Sequence, residues 1–474
     1  MTLLPFLTGA DVPDLDAYLA AGGGQGLERA RRLGPEQTAK EVSLSRLRGR
    51  GGAGFPTGTK WASVRNAVGS RRYAVCNAAE GEPATFKDRT LMRLNPYQGI
   101  EGLVIAALAV GADEAYLATK ARFTRERGRL LRALAEMEAA GMLDGLAVSV
   151  VAGPDEYLYG EEKALLEVIE GHEPLPRVLP PYQHGLFATG PQLGWESHPP
   201  ASAPGAGPEP NPTLVNNFET LSNVPHVLAR GPEWFREMGT DRSPGTLVCT
   251  VVGDVAGPGV FEVEMGTPMS ELLEVAGGPL PGRRFKAAFS GVANPVIGPD
   301  RFATPLTYED MRAAGSGLGA GGFVLYDDTA CMVDVAAVLS GFLSVESCGQ
   351  CPPCKRDSGD ITAALQRLSA GRGEEHSAGG SDEADIDVIG ARLRTVTDAN
   401  RCYLGTQEQL LVSSVLELYP EDFADHLAGL CRLPPRSHVV PKVDDIVDGR
   451  VVYDPRQARK RPDWTYADEE PAGE

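Results

Sequence analysis

Tyr73-Ala-Val-Cys-Asn77, Ala115-Tyr-Leu-Ala118 and Ala147-Val-Ser-Val-Val151 are short β-prone runs spaced along one part of the chain. Between the first two lies Gly99 to Val110, apolar and rich in helix formers. Between the second and third lies Glu126 to Ala140, with strong helical composition. This alternation of strand and helix argues for a layered α/β domain with parallel strands, because parallel neighbours need a crossover and a helix usually supplies it.

On the N-terminal side, Asp11 to Val42 reads as helical, with polar turns between short amphipathic runs. On the C-terminal side, residues Trp195 to Pro212 are rich in Pro, Gly, Ala and Ser and predict an irregular surface loop. From Thr246 to about Tyr326 the character changes. Leu247 to Val255 and Gly259 to Glu264 read as strands joined by a Gly/Pro turn, with one helix near Met269 to Ala276. From Ala330 the pattern is helical, over Val333 to Phe342, Asp360 to Leu368, Asp385 to Val396 and Glu408 to Leu418, which suggests a bundle. Gly371 to Ala384 reads as a polar loop between helices, and the proline- and charge-rich tail after Pro434 as extended.

The chain has 474 residues, too many for one core, so two to four domains are expected. Its net charge of −19 argues against nucleic acid or an anionic membrane as partner, since phosphates would repel it. A partner with a basic face suits it better. No apolar run reaches the roughly 18 residues a membrane span needs. The N-terminus lacks a basic region before its short apolar run and reads as mature sequence, so a cytoplasmic location is expected. The eight cysteines are then read as ligands or buried thiols rather than disulfides.

Ser347-Cys348-Gly-Gln-Cys351-Pro-Pro-Cys354 places three cysteines at C-x₂-C-x₂-C spacing, with Cys402 far downstream in Asn400-Arg-Cys-Tyr-Leu-Gly405. Such a loop can wrap three thiolates round one face of a cubane, and a distant fourth closes it, which favours a [4Fe–4S] cluster. A Cys₄ zinc site and plain buried thiols are the alternatives; zinc sites usually pair two C-x₂-C knuckles. Cys76, Cys249, Cys331 and Cys431 stand alone in the sequence and read as small buried hydrophobes.

Gly49-Arg-Gly51-Gly52-Ala-Gly54-Phe55-Pro-Thr-Gly58-Thr-Lys60-Trp61 is neither a G-x-G-x-x-G fingerprint nor a P-loop. Its glycines can still bring backbone N–H groups close to a phosphate, with charge from Arg50 and Lys60, and Phe55 and Trp61 can stack on a ring. A tight turn is the plainer reading. Asn77-Ala-Ala-Glu80-Gly-Glu82, Tyr157-Leu-Tyr-Gly160-Glu161-Glu162 and Val215-Asn216-Asn217-Phe-Glu-Thr220 add amides that can read an isoalloxazine edge and carboxylates that can bind ribose. Taken singly, Glu161 and Glu162 read as a helix N-terminus, and Asn216 and Asn217 as turn or cap residues.

In combination and in this order, these segments resemble the FMN- and [4Fe–4S]-carrying flavoprotein subunit of bacterial complex I, and the related diaphorase subunits of NAD-linked hydrogenases and formate dehydrogenases. The resemblance spans about Asp14 to His426. It implies a Rossmann-like domain at 1–240 that binds FMN and NADH, a ubiquitin-like β-grasp (SLBB-like) domain at 241–328, a helical [4Fe–4S] domain at 329–434 and an extended tail at 435–474. It implies NADH dehydrogenase activity: hydride passes from NADH to FMN, then single electrons to the cluster and to a small iron–sulfur protein or companion subunit. Any membrane association would run through a larger complex.

Carried over by motif, FMN would contact Gly49, Gly51, Gly52, Lys60, Asn77, Glu80, Tyr157, Gly160, Val215, Asn216, Asn217 and Thr220. NAD(H) would contact Phe55, Glu82, Glu161, Glu162 and Tyr182, with Glu82 and Glu162 nearest the chemistry. The cluster ligands would be Cys348, Cys351, Cys354 and Cys402. Four positions depart from the family's usual pattern: Ala79 replaces an Asp, Leu179 a Lys, Ser63 an aromatic, and Tyr182 a common Phe. Three of them thin out the dinucleotide side, which predicts weaker NADH binding than is usual, or a flavin/iron–sulfur relay that has given up NADH.

Overall fold

The computed structural model describes residues 6–9, 11–192, 209–371, 382–433 and 438–467. Most of the Trp195–Pro212 loop and most of the Gly371–Ala384 loop lie outside them. The chain divides into two compact units. One takes residues 1–81, 86–249 and 260–267; the other takes 82–85, 250–259 and 268–474. The β-grasp, helical and tail segments expected from the resemblance thus fall mainly in the second unit.

In the first unit, helices α1 (Leu15–Ala20), α2 (Gln25–Leu44) and α3 (Thr57–Asn66) precede strand β1 (Tyr73–Ala78). Helix α2 is interrupted at Gly34, whose φ of 75° and the Pro35 that follows break the helical ladder. Next come α4 (Lys87–Leu94), α5 (Pro96–Val110), β2 (Glu114–Lys120), α6 (Thr124–Ala139), β3 (Ala147–Gly153), α7 (Glu162–Ile169), β4 (Thr213–Asn217), α8 (Phe218–Arg230) and α9 (Pro232–Arg236). The strands pair in the order β3-β2-β1-β4, all parallel.

This is the doubly wound arrangement expected from the alternation of Tyr73 to Val151. Helices α2, α5 and α8 pack together, and Gly102 makes that possible: a Cβ there would overlap the Leu221 carbonyl of α8. The core they close includes Trp61, Tyr97, Ile100 and Phe218, all 1% exposed or less. Cys76 is buried among them, as expected of a small hydrophobe.

Strands β5 (Thr246–Gly253) and β6 (Gly259–Glu264), helix α10 (Met269–Val275), β7 (Phe285–Ser290), α11 (Tyr308–Ala313) and β8 (Gly322–Asp327) form a second sheet in the order β6-β5-β8-β7. β5 and β8 run parallel while β7 and β8 run antiparallel, which is the β-grasp order. Helices α12 (Met332–Glu346), α13 (Pro352–Ala370), α14 (Asp382–Leu393), α15 (Leu404–Leu418) and α16 (Pro420–Leu427) follow as the bundle.

The tail departs from the expected extended run. Val443–Val447 (β9) and Arg450–Tyr453 (β10) pair as an antiparallel hairpin over Asp448-Gly449, both at positive φ, the geometry a two-residue Asp-Gly turn favours. Beyond it the chain is pinned to the end of α12. Lys460 Nζ lies 2.8 Å from Glu346 Oε2 with both side chains fully buried, Gln457 Nε2 donates to Glu346, and Trp464 Nε1 donates to Val345 O. No helix among the described residues is long and apolar enough to cross a membrane.

Candidate functional site

Strand order 3-2-1-4 means that the connections leaving β1 and β4 turn to opposite sides. The crevice at their carboxyl ends is where doubly wound sheets bind ligands. Asn77 of β1 pairs in register with Asn217 of β4 there. The glycine loop arrives at the same place: Gly49 N donates to Phe55 O at 2.9 Å to close it, and Arg50 N donates to Thr220 Oγ1 at 2.8 Å. Gly52 has φ 124° and Gly54 φ 62°, conformations that L side chains avoid. The 3-10 turn Tyr157–Gly160 closes another side, with Asn77 Nδ2 donating to Gly160 O at 2.8 Å. A Cβ on Gly160 would sit 3.1 Å from Ala79 O, and one on Gly51 3.1 Å from Asn217 Cβ. A side chain at Gly51 or Gly160 would thus crowd this crevice, and their absence suits the close approach of a phosphate-bearing ring such as FMN.

Several motif side chains are committed to building the crevice. Asn217 Oδ1 caps α8, accepting from Glu219 N at 3.1 Å, while its Nδ2 donates to Asp88 at 2.7 Å. Asn216 Oδ1 accepts from Trp61 Nε1 at 2.8 Å. Trp61 is fully buried, so its ring offers no face to a ligand. Arg50, expected to bring charge to the loop, is also buried and donates instead to the Thr246 and Pro244 carbonyls. Glu80 caps α4, accepting from Lys87 N at 2.9 Å and Arg89 N at 3.1 Å. Burial, with Asp88 nearby, pushes its carboxyl up to about 7.

Beneath these lies a buried ion group that motif order does not separate from the ligand contacts. Lys87 Nζ is 2.8 Å from Glu219 Oε2 and 2.9 Å from Asp88 Oδ1, with side chains 5% exposed or less. Burial alone would lower the Lys87 pKa, but Asp88 and Glu219 hold it above its ordinary value. Removing one member of such a group typically costs about 3–5 kcal/mol, because a buried charge is left without its partner. Lys120 is a second cation that the sequence motifs do not point to. It ends β2 with its side chain 1% exposed, its Nζ against Gly81 and 3.0 Å from Asp155 O. A lysine closing an apolar strand is the signal that could have found it.

On the expected dinucleotide side, Lys60 Nζ pairs with Glu162 Oε2 at 2.6 Å. Both are partly exposed, so the pair is worth about 0–1 kcal/mol and opens cheaply. Glu161 caps α7, accepting from Lys163 N and Ala164 N at 2.9 Å each, and burial pushes it up to about 7. Phe55 is 52% exposed and Tyr182 44%. Arg177 lies near Leu179 in sequence but is buried and held by Glu167 and Glu170 at 2.5 Å each, so it does not replace a lysine at 179. Val215 is buried in β4. Glu82 belongs to the second unit, where its Oε1 accepts from Val292 N at 2.7 Å.

In the second unit the cysteine triplet spans the junction of α12 and α13. Cys348 follows α12, Cys351 caps α13 and Cys354 lies in its first turn. Arg401 N donates to Cys351 Sγ at 3.3 Å, which brings the Cys402 segment to the triplet. Ser347 Oγ lies 3.5 Å from Cys354 Sγ, and Gln350 Nε2 donates to Cys348 Sγ at 3.7 Å. Four thiols, three from one turn and the fourth from a downstream segment brought to it, are a donor set that fits a [4Fe–4S] cluster.

Comparison with known proteins agrees with this division. Residues 42–226 match the family model described as Nuo51 FMN-binding domain. Residues 334–426 match the NADH-ubiquinone oxidoreductase-F iron-sulfur binding region, and 248–296 an SLBB domain. Fold and site together define a flavin- and iron–sulfur-dependent oxidoreductase.

The chain belongs to the family of NADH-quinone oxidoreductase F subunits. It is 38% identical over 439 residues to the second F subunit of NADH-quinone oxidoreductase of Rhizobium meliloti (strain 1021), covering 89% of this chain and 97% of that one. It is 35% identical over 426 residues to the NADH-quinone oxidoreductase F subunit of Streptomyces coelicolor, covering 88% of each. Among solved structures it resembles a chain of NAD+-reducing [NiFe]-hydrogenase in the H2-reduced state. That match has a TM-score of 0.72 and 28% identity, and covers 88% of this chain and 67% of that one.

Proposed function

We propose that this chain oxidises NADH at the carboxyl ends of β1 and β4 and delivers the electrons singly through Cys348, Cys351, Cys354 and Cys402 to a protein acceptor. When bound, FMN takes two electrons as hydride and releases them one at a time, and the cluster accepts one at a time. The observation that carries the reading is the crevice itself, where the Gly49–Gly54 loop and Gly160 meet the paired Asn77 and Asn217.

In this reading, loop N–H groups of Gly51 and Gly52 receive the flavin phosphate, Gly49 holds the loop closed through Phe55 O, and Lys60 supplies charge. Asn77, Glu80, Tyr157, Val215, Asn216, Asn217 and Thr220 fix the floor and walls. Glu162, released from Lys60, and Glu161 accept from the dinucleotide's ribose hydroxyls, and Phe55 and Tyr182 offer flat faces to its bases. Glu82 orients the nicotinamide. The acceptor is a small iron–sulfur protein or companion subunit, and a larger assembly would carry any membrane association.

Anaerobic titration with NADH, followed by flavin absorbance, tests this. Bleaching, followed by the spin resonance signal of a reduced cluster, is expected. An FMN-loaded protein that NADH leaves unbleached would instead favour the relay reading, in which a partner such as ferredoxin replaces NADH. That reading rests on Leu179, Ser63 and Ala79.

A further inference from the structure

Cys331 and Cys431, read from sequence as isolated hydrophobes, do not stand alone. Cys331 caps the start of α12, and its Sγ lies 3.1 Å from Nε2 of His426, in the last turn of α16. Cys431 follows four residues after that helix ends. The three ligand atoms, Cys331 Sγ, the imidazole nitrogen and Cys431 Sγ, all lie within 4.8 Å of one another, and no other such group occurs among the described residues.

The histidine is oriented for this role. Its Nδ1 is 2.8 Å from Leu368 O, near the end of α13. A carbonyl only accepts, so Nδ1 carries the proton and Nε2 turns a lone pair toward Cys331. An N–H held by a backbone carbonyl is the usual outer support of a metal-binding imidazole.

We propose that Cys331, His426 and Cys431 bind one zinc ion. Two thiolates and an imidazole suit zinc, with Zn–S near 2.3 Å and Zn–N near 2.0–2.1 Å, and tetrahedral ligand atoms then sit roughly 3.5–3.8 Å apart. The observed spacing needs only a small adjustment to meet that. On binding, each thiol gives up its proton to solvent, and no electron is transferred. Water or a further side chain completes the coordination.

The site is separate from the cluster. Cys331 precedes α12 and Cys348 follows it, so the length of a 15-residue helix, about 22 Å, lies between them. Leu368 and the cysteine triplet are likewise at opposite ends of α13. The cluster closes one end of the α12–α13 hairpin, and the zinc ties the other end to α16.

The test is metal analysis of the full chain, loaded with flavin and cluster and purified without a metal-affinity tag. Wild type from zinc-replete medium should hold one zinc beside four irons per chain. Cys431→Ser and His426→Gln should lower zinc at least tenfold and leave iron and flavin unchanged, whereas Cys351→Ser should lose iron and keep zinc. The zinc absorption edge should show a mixed sulfur and nitrogen shell. Wild type with less than about a tenth of a zinc per chain overturns the proposal, as does zinc that both variants retain. A Cys331–Cys431 disulfide found on thiol counting also overturns it. Should either variant fail to fold, wild-type stoichiometry and the edge spectrum decide alone, and a shell without sulfur is fatal to the assignment.

Discussion

At the scale of single residues, the flavin crevice depends on what is missing. Gly52 holds φ 124°, where a β-branched residue is strained by roughly 1–3 kcal/mol. Gly52→Val should therefore weaken FMN binding by about tenfold or more. Flavin content of the purified variant measures this, and full retention would show that the loop does not hold the phosphate. Leu179 is the opposite case, a side chain that offers no charge. Leu179→Lys adds a charge-assisted hydrogen bond worth about 1.5–3 kcal/mol, or roughly 10- to 150-fold in NADH affinity. The comparison is of NADH dissociation constants for the two proteins. Wild-type affinity already in the low micromolar range would remove the ground for calling the site thinned.

At the scale of elements, the cap of α7 makes stability depend on pH. The Glu161 carboxyl, at 4.5 in the unfolded chain, rises to about 7 on folding through burial. The folded state thus holds this proton more tightly. Its contribution is complete below 4.5 and is lost as pH rises through about 7. Each tenfold gain in proton affinity is worth about 1.4 kcal/mol, but 22% of the side chain stays exposed, so about 1–2 kcal/mol in all is expected. Melting of flavin-free wild type against Glu161→Gln, between about pH 5 and 8, should show wild type losing ground as pH rises. A constant difference across that range would rule the effect out.

Elements with a local period are legible in the sequence: β1, β2, β3, α5 and α6 begin and end within a few residues of the expected positions. β4 is visible only as a motif, because Thr213-Leu-Val-Asn-Asn217 is too short to show alternation. The tail hairpin departs from the extended reading although Asp448-Gly449 between Val/Ile-rich runs is a hairpin signal. Within the site, motif order identifies the segments but not the division of labour. Nothing local to Trp61 or Arg50 tells whether the side chain faces a ligand or supports the backbone that does, whereas Asn217 reads locally as a cap and is one. The Cys331, His426 and Cys431 group is spread over about a hundred residues and has no spacing to read.

At the scale of the whole molecule, the last residues hold the cluster loop. Lys355 Nζ donates to Ser344 O at 3.2 Å, Ser347 O at 2.6 Å and Pro462 O at 2.7 Å, joining the tail to the turn that carries Cys348. Truncation after Val440 would strand the buried Glu346 carboxylate, at a cost of about 3–5 kcal/mol. The truncated chain should keep FMN and lose iron, which the iron-to-flavin ratio reports. An unchanged ratio would mean that the loop is rigid without its tail.

That anchoring also sets an order on biosynthesis. The cysteine ligands leave the ribosome before Lys460 and Trp464, so the loop that receives iron and sulfide stays unbraced until the residues after Pro455 have emerged. A braced cluster loop then requires that those residues have been made. A polypeptide arrested short of Pro455 should take up less iron from the assembly machinery than the finished protein does.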